Sequence, residues 1–129
     1  MGSKLVLIVE DNDKNLELVR DILEFRGFQT LTASNGHQAV ELARIHQPDL
    51  VLMDIQLPGI DGVTALTQLR GEASTGAIPV VAITAFAMSE DRGRLLAAGF
   101  DGYLAKPIDV RTLHDTVLAY CRKTNASEA

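Results

Sequence analysis

The sequence holds little of what several classes of protein require. Its 129 residues include one cysteine, Cys121, which excludes an internal disulfide framework and a four-ligand zinc finger. No apolar run approaches the ~20 residues of a membrane-spanning helix, and no basic segment precedes a signal-like apolar stretch. We therefore expect no membrane insertion and a cytoplasmic location. Neither Gly-x-x-x-x-Gly-Lys nor Gly-x-Gly-x-x-Gly occurs, which argues against nucleotide binding.

Positive charge is also scarce. Twelve lysine and arginine residues stand against seventeen aspartate and glutamate residues, a formal net charge of −5. This balance does not favour the phosphate backbone of nucleic acids, so we expect no direct nucleic-acid partner. With 47% apolar residues, the chain is long enough for one domain with its own core.

Five short apolar runs predict β-strands that begin near residues 4, 28, 49, 79 and 102. Three runs are unbroken rather than alternating, as in parallel strands covered on both faces, and the half-polar second run predicts an edge strand. Helical spacing separates the runs, although Gly93 interrupts segment 89–98, where we expect a short or mobile helix. This order predicts one doubly wound α/β domain over residues 4–122, with flexible ends at 1–3 and 123–129.

Acidic residues follow two of the predicted strands. Glu10 and Asp11 follow the first strand and Asp54 the third, and such sheets bind ligands beyond these carboxyl ends. If the two strands are neighbours, the three carboxylates repel one another strongly. Either one carboxyl group stays protonated, or a hard cation such as Mg²⁺ lies among them. The simpler alternative is that these acids are solvated helix caps, with Asp11 capping the first helix.

Further polar groups reach the same edge of the predicted sheet. The fourth strand ends in Thr84-Ala85 and the fifth in Lys106-Pro107. A hydroxyl group and an ammonium group therefore join the three carboxylates, a combination that solvated helix caps explain poorly.

Four segments together resemble the receiver domain of two-component response regulators. They are Val9-Glu10-Asp11-Asn12, the stretch from Met53-Asp54 to Asp61-Gly62, Ile83-Thr84-Ala85, and Tyr103-Leu104-Ala105-Lys106-Pro107. The four occur in order, and the resemblance covers about residues 4–122. It implies a flavodoxin-like sheet of five parallel strands in the order 2-1-3-4-5 with five helices. It also implies phosphorylation of Asp54 by a histidine kinase or a histidine phosphotransfer protein.

The resemblance assigns the acids to phosphoryl transfer. Asp54 is implied to be the nucleophile that forms an acyl phosphate. Asp11 would bind Mg²⁺ or Mn²⁺ directly and Glu10 mainly through water. Asp54 and the backbone carbonyl of Gln56 would complete the protein ligands. The cation offsets repulsion between phosphoryl oxygens and carboxylates, which is most of what phosphoryl transfer needs.

The same resemblance gives the other residues binding and switching roles. Lys106 would pair with Asp54 and then with a phosphoryl oxygen. Thr84 would donate its hydroxyl to another oxygen, and small Ala85 would leave room for the phosphoryl group. Movement of Thr84 would let Tyr103 turn inward, although on residue type alone Tyr103 is an ordinary half-buried aromatic. The change would reach the face formed by the fourth helix, fifth strand and fifth helix, where a downstream regulator protein would bind.

Pro107 is implied to follow a cis peptide bond and to have a structural role. The base rate of cis bonds before proline is near ~5%, so this expectation comes from the resemblance and not from the residues alone.

Two other functions compete with a stand-alone receiver. An aspartate-nucleophile phosphohydrolase of the haloacid dehalogenase type would need a second acid two residues after the nucleophile, where this sequence has Gln56. A receiver excised from a hybrid histidine kinase would carry the same motifs. We expect a stand-alone regulator, because the resemblance to a receiver extends over nearly the whole length and the last residues form a polar tail. We expect no enzymatic activity beyond self-phosphorylation and its reversal.

Overall fold

Strands and helices alternate along the chain. The structure, a computed structural model, describes residues 4–57, 59–85 and 89–121, with the backbone alone at residues 89–92. The ends that were predicted to be flexible, and Arg122, lie outside the described residues. The elements are β1 (Leu5–Val9), α1 (Asp13–Phe25), β2 (Gln29–Ala33), α2 (Gly36–His46), β3 (Leu50–Asp54), α3 (Gly62–Arg70), β4 (Val80–Thr84), α4 (Ser89–Ala98), β5 (Gly102–Ala105) and α5 (Val110–Tyr120).

The five strands form one parallel sheet in the order β2-β1-β3-β4-β5. This confirms the predicted doubly wound, flavodoxin-like architecture, and the half-polar β2 is an edge strand as predicted. β1 and β3 are neighbours, paired from Val6 with Leu50 to Val9 with Met53. The strand order reverses between them, so their carboxyl ends border the crevice in which such sheets bind ligands.

Successive side chains of the inner strands enter two different cores, as the strand period of two requires. Leu7 and Val9 of β1 pack with α2, α3 and α4, whereas Val6 and Ile8 pack with α1 and α5. Because helices cover both faces of the sheet, the inner strands are apolar at consecutive positions and not only at alternate ones. All residues of β3 and β4 are buried. The polar groups at their ends therefore emerge from a fully packed sheet.

Four helices begin at a side chain that accepts a hydrogen bond from the first helical turn, which stabilises their amino ends. These N-caps are Asn12, Asn35, Asp61 and Asp109. Asn12 Oδ1 accepts from Asn15 N at 3.0 Å, so the alternative that Asp11 caps α1 is wrong. Within the described ranges, the helices are too short or too polar to cross a membrane.

Gly93 does not interrupt the fourth helix. α4 runs over ten residues from Ser89 to Ala98, the whole segment in which a short or mobile helix was expected. Glycine inside a helix costs only about 1 kcal/mol relative to alanine. Leu95, which is 8% exposed, packs α4 onto the sheet and offsets that cost.

Gly62 begins α3 against the backbone of Asp54. A Cβ at this position would lie 2.6 Å from the Asp54 carbonyl oxygen and 3.0 Å from Ile55 Cα. We predict that Gly62→Ala lowers the free energy of unfolding by about 1–3 kcal/mol, because these backbone atoms cannot move aside as a flexible side chain would. Urea denaturation measures the change.

Gly93→Ala is the matched control for this substitution. A Cβ at Gly93 would meet nothing within 4 Å, so alanine should raise the free energy of unfolding by about 0.5–1 kcal/mol through helix propensity and a less flexible unfolded chain. A Gly62→Ala protein as stable as the wild type would contradict the close contact.

The thiol of Cys121 is buried at the end of α5. Desolvation, with the negative charge of Asp49, raises its pKa from 9.0 to about 11. Since the pKa is raised in the folded state, this group contributes stability below pH 9 that is lost as the pH rises towards 11. At pH 8 we predict that a disulfide reagent reacts with the native thiol roughly a hundredfold more slowly than with the unfolded chain. Equal rates would contradict the burial.

Candidate functional site

Three carboxylates meet at the carboxyl edge of the sheet. Oxygens of Glu10, Asp11 and Asp54 all lie within 4.8 Å of one another. Glu10 and Asp54 are 4% and 3% exposed, whereas Asp11 is exposed at the rim. The structure thus brings together the acids that follow the first and third strands, and the cluster meets solvent through Asp11.

Main-chain hydrogen bonds hold the two buried acids in place. The backbone N of Glu10 donates to Ala33 O of β2 at 3.0 Å. Glu10 Oε2 accepts from Asn12 N at 3.2 Å, and Asp54 Oδ1 accepts from Gln56 N at 3.0 Å. Each carboxylate is therefore oriented by the amide two residues further along the chain. The side chain of Gln56 is exposed at the same edge.

Lys106 supplies positive charge to the cluster. Its Nζ donates to Asp54 Oδ2 at 2.8 Å and lies 3.7 Å from Glu10 Oε1. Its backbone N donates to Thr84 O at 2.8 Å, which continues the pairing of β4 with β5 beyond Ala105. The end of β5 thereby directs the ammonium towards the carboxylates. With one ammonium beside three carboxylates, the site keeps a net negative charge that attracts cations.

The pKa of Glu10 reflects its burial beside other charged groups. Burial, reinforced by the hydrogen bond with Asp54, raises the pKa of Glu10 to about 7, although the Asn12 amide and the Lys106 charge act in the opposite direction. Burial alone would lower the pKa of Lys106, but its bond to Asp54 and the two negative charges outweigh that effect and raise it. The ammonium therefore stays charged at neutral pH, and a bound cation would favour the ionised form of Glu10.

The other predicted residues lie on β4 and β5 around the acids. Thr84, 4% exposed, ends β4, and exposed Ala85 follows it. Tyr103 is half-buried on β5 and packs against the core that α2, α3 and α4 cover. The Lys106–Pro107 peptide bond is cis.

Two contacts at this site are absent from the sequence interpretation. One is the approach of Lys106 to Glu10, since the motif pairs Lys106 with Asp54 alone. The other is the Asn12 amide bound to Glu10. A partial signal was present, because Asn12 directly follows the acid pair and is a favoured N-cap residue.

The donor set fits a hard divalent cation. The cluster offers carboxylate oxygens, and no histidine or cysteine joins it in the part of the chain that the structure describes. Mg²⁺ takes oxygen ligands, keeps several waters and needs few protein carboxylates. Exposure of Asp11 at the rim leaves room for those waters.

Fold and site together define a class of signalling protein. The chain belongs to the response regulator receiver domain family, which matches residues 6–118. Receiver domains bind Mg²⁺ in an acidic pocket, and this chain has an acidic cluster, Glu10, Asp11 and Asp54, at the carboxyl edge of its sheet.

Two response regulators are similar to this chain over nearly its whole length. The polar-differentiation response regulator DivK of Brucella anthropi is 44% identical over 117 residues, covering 91% of this chain and 95% of the relative. DivK of Brucella ovis is 43% identical over 118 residues, covering 92% and 96%.

Solved structures share the fold. The receiver domain of a Pseudomonas aeruginosa sensor histidine kinase, with a magnesium ion coordinated in its active site cleft, is 33% identical with a TM-score of 0.85, covering 92% of this chain and 98% of that one. The Saccharomyces cerevisiae Ssk1 receiver domain, in a complex with the histidine phosphotransfer protein Ypd1, is 28% identical with a TM-score of 0.84, covering 93% and 90%.

Removal of the ammonium group is predicted to tighten cation binding. Lys106→Met deletes a positive charge that lies 2.8 Å from Asp54, so the affinity for Mg²⁺ should rise by about tenfold at low salt. Isothermal titration calorimetry at pH 8 measures the affinity. Lys14→Met, at the exposed start of α1, is the control and should change it little. Weaker binding by Lys106→Met would contradict a site governed by carboxylate charge.

Proposed function

We propose that this protein accepts a phosphoryl group on Asp54 from a histidine kinase or a histidine phosphotransfer protein. It then changes how the face formed by α4, β5 and α5 binds a downstream regulator protein. One observation carries the proposal: Asp54 is buried, bonded to Lys106 Nζ at 2.8 Å, and clustered with two further acids. An ion pair alone does not need the additional carboxylates, whereas a phosphoryl site that holds a cation does.

In the proposed reaction an Asp54 carboxylate oxygen forms a bond to phosphorus as the bond from phosphorus to the donor's imidazole nitrogen breaks. The nitrogen keeps the electron pair, so the donor histidine returns to its neutral state after proton exchange with solvent. The Gln56 amide, at 3.0 Å from Oδ1, orients the carboxylate. Lys106 then pairs with a phosphoryl oxygen.

Asp11, Glu10, Asp54 and the backbone carbonyl of Gln56 are the proposed ligands of Mg²⁺ or Mn²⁺. Asp11 would bind directly and Glu10 mainly through water. The cation supplies charge that offsets repulsion between phosphoryl oxygens and carboxylates. The oxygen-only donor set and the net negative charge of the cluster support this assignment.

Thr84 and Tyr103 are the proposed switch. Thr84 ends β4 next to the acids, and its hydroxyl would donate to a phosphoryl oxygen, with exposed Ala85 beside it leaving room. Tyr103 packs against the same core as α4, so a turn of its ring would alter the surface between α4 and β5. Pro107 would set the direction in which Lys106 enters the site.

The donor is proposed to approach along α1. A groove of about 350 Å³ leads from the acids along this helix, and its lining consists of Glu10, Asn15, Leu18, Val19, Lys106, Pro107 and Ile108. Leu18 is 43% exposed, which suits contact with another protein. The Ssk1 receiver domain was solved with such a phosphotransfer protein, which supports a donor of this class.

We favour a stand-alone cytoplasmic regulator whose receiver domain spans residues 4–122. The support is that the chain covers 95% and 96% of the two curated DivK proteins, which are named for polar differentiation. A receiver belonging to a hybrid kinase is the alternative, since the Pseudomonas aeruginosa receiver domain comes from a sensor histidine kinase. Catalysis on a separate substrate is not part of the proposal, because Gln56 supplies no second acid beside Asp54.

The proposal predicts a phosphoryl adduct on Asp54. Incubation with Mg²⁺ and a small acyl phosphate should give one added phosphoryl mass in the wild type, and Asp54→Asn should give none because the amide is not a nucleophile. Intact-mass spectrometry measures the adduct. Asp115→Asn is the control, because this aspartate side chain is 84% exposed on α5 and should leave the adduct unchanged.

Two results would overturn this assignment. An adduct that persists in Asp54→Asn would move the phosphoryl group to another residue. Steady hydrolysis of phosphate esters by the wild type, abolished in Asp54→Asn, would favour the phosphohydrolase instead.

A further inference from the structure

The loop between β3 and α3 is closed at its base by two contacts. It covers residues 55–61, and the structure describes all of them except Pro58. The Gly62 amide donates to Ile55 O at 3.0 Å, and a Cβ at Gly62 would lie 2.6 Å from the Asp54 carbonyl oxygen. The chain therefore leaves the sheet at Asp54 and returns to the same place at the start of α3.

This loop carries Gln56, which is connected to the acidic cluster through its backbone. The Gln56 amide donates to Asp54 Oδ1 at 3.0 Å, and the Gln56 carbonyl is the proposed main-chain ligand of the cation. The side chain of Gln56 is exposed. The position of this residue therefore depends on how the rest of the loop is packed.

Ile60 packs the loop against the first residue of α2. A Cβ at Gly36 would lie 2.6 Å from Ile60 Cγ1, 3.0 Å from Ile60 Cδ1 and 3.1 Å from Ile60 O. The side chain and the backbone of Ile60 thus occupy the space that a side chain at position 36 would need, and only glycine permits this approach. A loop closed only at its base can tilt, whereas this additional contact restrains it.

The start of α2 is itself held by reciprocal hydrogen bonds. Asn35 Oδ1 accepts from Gln38 N at 2.8 Å, and Gln38 Oε1 accepts in return from Ser34 N at 2.9 Å. Bonds of this kind fix the first turn of a helix. Gly36 and Ala39, in that turn, are buried. Gly36 therefore offers the loop a surface that does not move with it.

We propose that Ile60 is a positioning residue for the acidic cluster. Through its contact with Gly36 it holds the loop so that Gln56 keeps its place beside Asp54. Ile60 acts through the backbone of the loop and is not a catalytic residue. The inference rests on the proposed function for the role of the Gln56 carbonyl as a cation ligand. The contact of Ile60 with Gly36 and the bond from Gln56 to Asp54 stand without it.

NMR relaxation tests the positioning role in the absence of any metal ion or phosphoryl group. Ile60→Ala removes the Cγ1 and Cδ1 atoms that lie against Gly36. The backbone order parameter of Gln56 should fall from about 0.85, typical of rigid backbone, towards about 0.6, while that of Met53 within β3 should not change. Ile60→Val loses only one methyl group, so it should keep most of the wild-type value.

The affinity for Mg²⁺, measured by isothermal titration calorimetry, is the second readout. Ile60→Ala should weaken Mg²⁺ binding by about tenfold, as is usual when a residue that orients a metal ligand is lost. Leu42→Ala is the matched control, because Leu42 packs half-buried against the same core as Ile60. It lies about 9 Å further along α2 than Gly36. This control should lower the stability in urea and leave the Mg²⁺ affinity unchanged.

Gly36→Ala tests the same contact from the side of α2. Alanine is a better helix former than glycine, yet here its Cβ would displace Ile60. Gly36→Ala should therefore lower the Gln56 order parameter and the Mg²⁺ affinity, as Ile60→Ala does. In the double variant the two losses should be less than additive, because both substitutions remove one contact. If Ile60→Ala does not fold, Gly36→Ala takes its place.

The outcomes separate the two proposals. If the wild type binds Mg²⁺ and folded Ile60→Ala keeps either the Gln56 order parameter or the Mg²⁺ affinity of the wild type, the positioning role is overturned and the proposed function stands. Equal losses in Leu42→Ala would also overturn it, since any weakened core would then have the same effect. If the wild type binds no Mg²⁺ and forms no adduct on Asp54 with an acyl phosphate, the proposed function fails. The order parameters of Gln56 then judge the role of Ile60 alone.

Discussion

The site depends on the ion pair between Lys106 and Asp54. Two strand ends bring three carboxylates within 4.8 Å, an arrangement that like-charge repulsion opposes. The ammonium, 2.8 Å from Asp54, provides the compensating charge within the protein itself. Its geometry in turn requires β4 and β5 to end in register, because the Lys106 amide binds Thr84 O. The packed sheet thus supplies the rigidity that keeps mutually repelling groups together.

Much of this arrangement could be predicted from the sequence. Each strand is recognised as an apolar run, and the functional side chains stand where these runs end. The meeting of Glu10 and Asp54 at one edge of the sheet follows from the strand pattern and from the pairing of β1 with β3. Contacts that depend on side-chain direction could not be predicted. The Asn12 amide bound to Glu10 and the four acceptors around Arg70 join residues whose spacing carries no pattern.

Helix α3 is held at both ends. It begins with Gly62 against the Asp54 carbonyl, and it ends with Arg70, which donates hydrogen bonds to Ile78 O and Gly99 O. The loop before β4 and the turn after α4 are therefore joined at the end of α3. The other face of the sheet, formed by α1 and α5, packs a separate core.

The unequal distances from Lys106 to its two acids have a consequence of their own. Its Nζ lies 2.8 Å from Asp54 Oδ2 and 3.7 Å from Glu10 Oε1, a difference of less than 1 Å. A small rotation of the lysine stem is enough to exchange its nearer neighbour. If Asp54 is neutralised or replaced, the ammonium has a second counter-ion in reach and does not have to return to solvent. Lys106 is thus held by two carboxylates at unequal distances. When the nearer one, Asp54, is lost, Glu10 keeps the ammonium inside the site.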